Sequence, residues 1–262
     1  MPKYGLLATL TCALVAPPVS AFAQSSAQSL DGMWSDPPAT PEDMMCFFWC
    51  TDTAFEHLEA LLDDPGNDDR PYLELRNETM AYQVMDYVRP RLSAAALETF
   101  PLDELKDDAG YLYCEPWGVA QQMFAPHQLE LHRVGDRLEM HYGEWDARRT
   151  VHMDGRAAPA RTEPTSLGYS VGHYEGDTLV IETSHIIANV TPWRTRHSDQ
   201  LRITERFARD GDRLLLTATI EDPWSLREPL QIRKVWSWAP DQQIFPYDQC
   251  KPAAESAGAG RK

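Results

Sequence analysis

Basic residues are scarce in this chain: 24 Lys and Arg stand against 40 Asp and Glu, a formal charge of −16. A surface of that sign repels phosphate backbones and anionic lipid, so nucleic acid is not an expected partner. Long apolar runs are missing beyond the first two dozen residues, and no membrane insertion is expected. Gly-rich phosphate loops and dinucleotide fingerprints are absent, so no nucleotide cofactor is expected, and none of another kind. The histidines that might gather on a metal, His127, His173, His185 and His197, are scattered without the i,i+4 spacing of a helical site. No metal site is expected.

The one apolar run stands at the start. Lys3 is followed by "LLATLTCALVA", and Ala21-Phe22-Ala23 supplies small residues at the two cleavage-recognition positions. This is the pattern of a secretory leader cut after Ala23. The run is shorter than the roughly 20 residues a membrane span needs, and Pro17-Pro18 follows it. Residues 1–23 are therefore read as a signal peptide and the mature chain as periplasmic or secreted. Enough chain remains for one sizeable core, or one core plus a small subdomain. Cys46, Cys50, Cys114 and Cys250 lie beyond the leader. An even set in an exported chain implies two disulfides, with three possible pairings. A zinc site on Cys46-x-x-x-Cys50 would lack a matching second pair.

The texture changes along the chain. "TDTAFEHLEALLDD" opens with a Thr/Asp cap and repeats Phe55, Leu58, Leu61 and Leu62 at helical spacing. "YLELRNETMAYQVMDYV" is a second helix, stopped by Arg89-Pro90, and "SAAALETF" a short third one. From Gln128 onward the period becomes two, in eight strand-like runs from "QLELHRV" to "LQIRKVWSW". Turns at Gly135-Asp136, Glu175-Gly176-Asp177 and Asp210-Gly211-Asp212 link several of them as hairpins. The expected fold is α+β: a helical cap over residues 24–117 and an antiparallel, eight-stranded, lipocalin-like β-barrel over 118–250. A small, polar tail over 251–262 is read as disordered.

Gly168-Tyr169-Ser170-Val171-Gly172 matches G-x-S-x-G. A nucleophile elbow needs a helix directly after the serine. Here "VGHYEGDTLVIET" follows, a β-hairpin pattern, so Ser170 is not expected to be a nucleophile. The two glycines read instead as points of close backbone approach. The same stretch carries a resemblance. DGR, P-T, G-x-S-x-G, E-G-D-T-L-V, then H-S-D, E-R-F and D-P over roughly residues 115–240 resemble a widespread, largely uncharacterised bacterial family of exported proteins. Tyr174 stands where that family usually has Trp. The resemblance implies a shared barrel-like fold and carries over no catalytic residues.

Polar residues that interrupt apolar strand faces single out a candidate site, because residues i and i+2 of a strand share a face. Glu205 stands between Ile203 and Phe207, and Lys234 between Ile232 and Trp236. Met140 and Tyr142 lead to Glu144, Arg149 aligns with Val151, and Thr183 and His185 follow Leu179 and Ile181. Buried charges must be paired, so Glu205 is expected to meet Lys234, and Glu144 to meet Arg149, with His185 able to join. The alternative is an ion-paired core without function. Asp146 beside Arg148 reads as a turn carboxylate, His197-Ser198-Asp199 as a turn opening a strand, and His127 as an exposed strand start. The functional expectation is a cofactor-independent lyase or isomerase acting on a hydrophobic or aromatic small molecule. Glu205, Glu144 or His185 would remove a proton, and Lys234, Arg149 or Tyr142 would stabilise the oxyanion. Trp236, Trp238, Phe207 and Met140 would line the pocket. The rival expectation is a carrier that holds a lipophile unchanged.

Overall fold

The computed structural model describes residues 29–35, 40–245 and 250–252. The expected leader and the tail from residue 253 lie outside the described residues. Among the described residues, nine strands close one barrel. They are β1 (Gly32–Ser35), β2 (Leu129–Val134), β3 (Arg137–Tyr142), β4 (Arg148–His152), β5 (Tyr169–Glu175), β6 (Thr178–Ser184), β7 (Arg202–Asp210), β8 (Arg213–Glu221) and β9 (Leu230–Trp238). The expected hairpins form at Gly135, Gly176 and Gly211, between β2 and β3, β5 and β6, and β7 and β8.

Two features depart from an eight-stranded antiparallel barrel. The strand count is nine, because β1 inserts between β2 and β9 and closes the barrel. Its four residues are too few to show alternation, and they fall within the stretch that reads as helical cap. The second departure is the β4–β5 pair, which is parallel. The chain between them, residues 153–168, is rich in proline and lacks a hairpin turn. It is long enough to cross over and re-enter in the same direction, which a parallel pair requires.

The helices are α1 (Pro41–Met45), α2 (Asp52–Asp63), α3 (Tyr72–Tyr82), α4 (Ala94–Leu97), α5 (Glu104–Asp107), α6 (Ala109–Tyr113) and α7 (Val119–Gln122). Thr51 caps α2, its hydroxyl accepting from Ala54 N at 3.3 Å, and Pro65 lies just past its end. α3 runs on through a wide turn, Gln83–Val88, to the expected stop at Arg89-Pro90. Ser93 caps α4 through Ala96 N. Leu62 stands outside the buried stripe of α2, at 43% exposure.

Two apolar cores result. The larger fills the barrel with Leu131, Met140, Ile181, Phe207, Leu216 and Trp236 among others. The smaller joins α1, α2 and α3 to the outer face of β9 through Met45, Leu58, Leu75 and Val235. The cap is fastened there by backbone bonds in both directions between Cys50 and Arg233. Cys46–Cys50 and Cys114–Cys250 are the two disulfides. The first closes a loop beside β9, and the second ties the end of α6 to the chain beyond the barrel. Both fit an oxidising compartment.

Candidate functional site

Alternation along the strands sends Tyr142, Arg149, Ser170, Thr183 and Glu205 into the barrel, where each is buried. They form one network. Arg149 Nη1 donates to Glu205 Oε1 at 3.0 Å, and its Nη2 forms an ion pair with the other carboxylate oxygen. Arg149 Nε donates to Ser170 Oγ at 2.8 Å, and Nη1 reaches Tyr142 Oη at 3.5 Å. Ser170 and Thr183 are 3.0 Å apart. Burial alone would lower the Arg149 pKa, but the Glu205 carboxylate outweighs it and the guanidinium is held more firmly charged than usual. Burial pushes the Tyr142 phenol up to about 12, so it is neutral at physiological pH.

The expected pairings therefore change. Glu205 meets Arg149, not Lys234; Glu144 meets His127, not Arg149. Register is the reason. Glu205 lies opposite Ala218 on β8, and Lys234 lies opposite Leu216, which itself faces Phe207. Lys234 thus sits one inward step away from Glu205, with its Nζ donating to Ala125 O and 4.7 Å from the Trp236 ring centroid. His185 does not join the network. It follows β6 with φ +56° and shares a 2.9 Å hydrogen bond with Ser184 Oγ. Phe207, Met140 and Trp236 are buried in the barrel core, whereas Trp238 packs edge-on against Trp34 beneath the Arg209 guanidinium.

The G-x-S-x-G match has a packing explanation. Gly168 has φ +72°, and a Cβ there would fall 2.8 Å from Ser184 O. A Cβ on Gly172 would fall 2.6 Å from Met153 Sδ and 2.8 Å from Val151 Cγ1. Gly168 demands glycine, a side chain at Gly172 would need Met153 and Val151 to shift, and Ser170 between them is an Arg149 partner inside a strand. The H-S-D and D-P elements meet in a second polar knot. Asp222 accepts from Ser198 N at 2.8 Å, Ser198 Oγ at 2.6 Å, Ser225 Oγ at 2.7 Å and Trp224 N at 3.1 Å. His197 donates Nδ1–H to Ser198 O at 2.9 Å.

A cleft of about 830 Å³ lies between the helical cap and one end of the barrel. That volume is in the range of small-molecule sites. Phe48 and Trp49, from the Cys46–Cys50 loop, form one wall; Trp117 and Phe124 flank α7; Glu144 and Trp145 come from the turn after β3. The turn is strained. Trp145 and Asp146 have φ +60° and +49°, a conformation that costs a non-glycine residue about 1–2 kcal/mol. Asp146 pays part of that back through His141 and, at 3.5 Å, Arg148. The strain presents Trp145 edge-on to Trp117, with ring centroids 5.9 Å apart. It also presents buried Glu144, whose Oε2 lies 2.5 Å from His127 Nε2. Gln122 holds the Glu144 carbonyl at 2.9 Å.

The cleft has further polar groups. Asp108 accepts from Gly110 N at 2.8 Å, Gln121 Nε2 at 3.0 Å and Trp117 Nε1 at 3.3 Å. Arg76 of α3 lines the same space with its Nε bonded to Met44 O at 3.1 Å. Of the expected site residues, Glu144 and Cys250 line this cleft, and Lys234 supports its wall through Ala125. Arg76, Asp108, Gln121 and Trp117 were not legible as a site in the sequence. They come from separate short elements that carry no common period. Among the described residues, no three His, Cys, Asp or Glu side chains gather as a metal site.

Two predictions follow from the buried networks. Arg149→Met strands the Glu205 carboxylate and should lower unfolding free energy by about 3–5 kcal/mol. Adding Glu205→Leu to it should recover much of that loss, as read by denaturant titration. Asp222 supplies a pH dependence. Burial alone would raise its pKa, but the Ser198, Ser225 and Trp224 donors outweigh it and hold it below the usual value. A lowered carboxylate contributes stability that is complete above the unfolded value of about 3.9 and is lost as pH falls through the folded value. Asp222→Asn should therefore be less stable at pH 7 and show a shallower loss of stability on acidification below pH 4, measured by thermal unfolding.

No protein-family model and no curated protein matches this chain. Among solved structures, it has a distant likeness to a "secretary abundant heat soluble (SAHS) protein from Ramazzottius varieornatus". The two are 11% identical over 45% of this chain and 76% of that one, with a TM-score of 0.22, a likeness too weak to carry any inference.

Proposed function

We propose that the protein is an exported, cofactor-independent lyase or isomerase that moves a proton on a hydrophobic or aromatic small molecule bound between cap and barrel. The observation that carries this reading is the 2.5 Å contact of Glu144 Oε2 with His127 Nε2 at the wall of an aromatic cleft. A carboxylate and an imidazole are the side chains suited to take a proton from a bound substrate and return it elsewhere, and here they are in contact. Aromatic walls supply apolar contact and exclude water, which strengthens such a pair. The barrel network is assigned a scaffolding role, because Arg149 and Glu205 already satisfy each other. Lys234 and Gln122 are positioning residues, holding the carbonyls of Ala125 and Glu144. The leader-like start and the two disulfides support an exported, periplasmic setting.

The alternative is a non-catalytic carrier of a lipophilic ligand, which the same walls of Phe48, Trp49, Trp117, Phe124 and Trp145 would serve. Turnover separates the two. The oxidised protein is incubated at trace and at stoichiometric concentration with a pool of hydrophobic and aromatic metabolites, each followed by mass spectrometry. The proposal expects a compound consumed by trace protein. Glu144→Gln and His127→Asn should each slow that consumption by about 10²–10⁴-fold while still retaining the compound. A compound retained one per chain and unchanged makes the protein a carrier.

A further inference from the structure

Arg76 is buried to 7% exposure, yet its Nη2 has no hydrogen-bond partner. A guanidinium carries five donors in a planar fork, and burying one of them unmatched is costly. Its Nε donates to Met44 O at 3.1 Å, and the Phe48 ring lies 5.0 Å beneath the guanidinium carbon. Burial pushes the Arg76 pKa below its ordinary value, and a guanidinium stays protonated in proteins. Arg76 lines the aromatic cleft. Gln121, on α7, lines it too, and its Oε1 is likewise buried without a partner. A donor and an acceptor are thus left unmatched at one ligand-sized space.

We infer that Arg76 is the anchor for a carboxylate, so that the ligand is an arene or other apolar body bearing a single carboxylate group. This rests on the cleft being the binding site, as proposed above, and deepens that reading by naming the ligand class. The planar fork of a guanidinium matches a carboxylate. The other charges of the cleft bear on the valence of the anion. Glu144, Asp108 and Lys251 line the same space, and two carboxylates against one ammonium would repel a dianion more strongly than a monoanion. Gln121 Oε1 would accept from a hydroxyl or amine on the ligand. General attraction cannot mimic this site, because the chain as a whole is at −16.

Three unreactive probes test the inference: 2-naphthoate, its neutral isostere 2-naphthamide, and 2-naphthyl phosphate. Each is titrated into the full oxidised chain, and binding is read from tryptophan fluorescence and by calorimetry. Naphthoate should bind at least about tenfold more tightly than naphthamide, and more tightly than the phosphate. This comparison uses the unaltered chain and needs no variant to fold. Arg76→Met should remove the preference for naphthoate while leaving naphthamide within about twofold, and Arg76→Lys should restore only part of it. Equal binding of acid and amide overturns the inference, as does a preference for the phosphate or no binding of naphthoate at millimolar concentration. Because none of the probes reacts, the result is separate from the role of Glu144 and His127. A chain that prefers naphthoate but turns nothing over retains the anchor and loses the enzyme reading.

Discussion

The contact between Arg149 and Glu205 is the constraint on which the rest of this structure depends. It joins β4 to β7 across the inside of the barrel and draws in Ser170 of β5, Thr183 of β6 and Tyr142 of β3. Five strands thereby share one polar node. Its members are tied by side-chain bonds, so the register of each strand is fixed by more than apolar contact. β4 and β5 form the parallel pair, and their alignment is set by two residue pairs, Val151 with Ser170 and His152 with Val171. The Arg149–Ser170 bond at 2.8 Å spans this short seam. The network is costly to bury and strongly destabilising to break, which suits a device that specifies one arrangement.

The same network decides where a ligand can sit. Arg149, Glu205 and their partners occupy the barrel interior together with Phe207, Met140 and Trp236. The cleft lies instead where the cap meets the end of the barrel. Both disulfides serve that junction: the Cys46–Cys50 loop carries Phe48 and Trp49 into the cleft, and Cys250 lines it from the other side. The strained turn at Trp145 and Asp146 completes the wall. Strain held by surrounding bonds is a mark of sites where a side chain must be aimed.

Much of the barrel was legible because alternation is a local signal. Residues such as Glu205, Lys234 and Arg149 stand out as buried charges from their strand neighbours alone. Their partners were not legible, because pairing depends on how strands line up around the closed barrel: Lys234 of β9 lies opposite Leu216 and not Ala218, the β8 partner of Glu205, whereas Arg149 reaches Glu205 from β4. β1 escaped notice because four residues cannot show a period and their partners lie some 90 residues downstream or more. Arg76 was hidden for another reason. It lies in "LELRNET", among charged residues of a helix, and the Phe48 ring and Met44 carbonyl that pack on it come from a separate stretch of chain. The glycines of G-x-S-x-G were legible as close-approach points, and the structure supplies the atoms they approach.

The central claim is that ligand binds in the cleft between cap and barrel and not in the lumen. The most direct test follows the indole N–H resonances of the tryptophans by NMR while the aromatic compound found by metabolite screening is titrated in. The account predicts that Trp49, Trp117 and Trp145, which line the cleft, shift together and saturate at one ligand per chain, while Trp34, packed on Trp238 away from the cleft lining, stays in place. Shifts centred on Trp236, with Trp117 and Trp145 unmoved, would contradict it and return the site to the barrel interior.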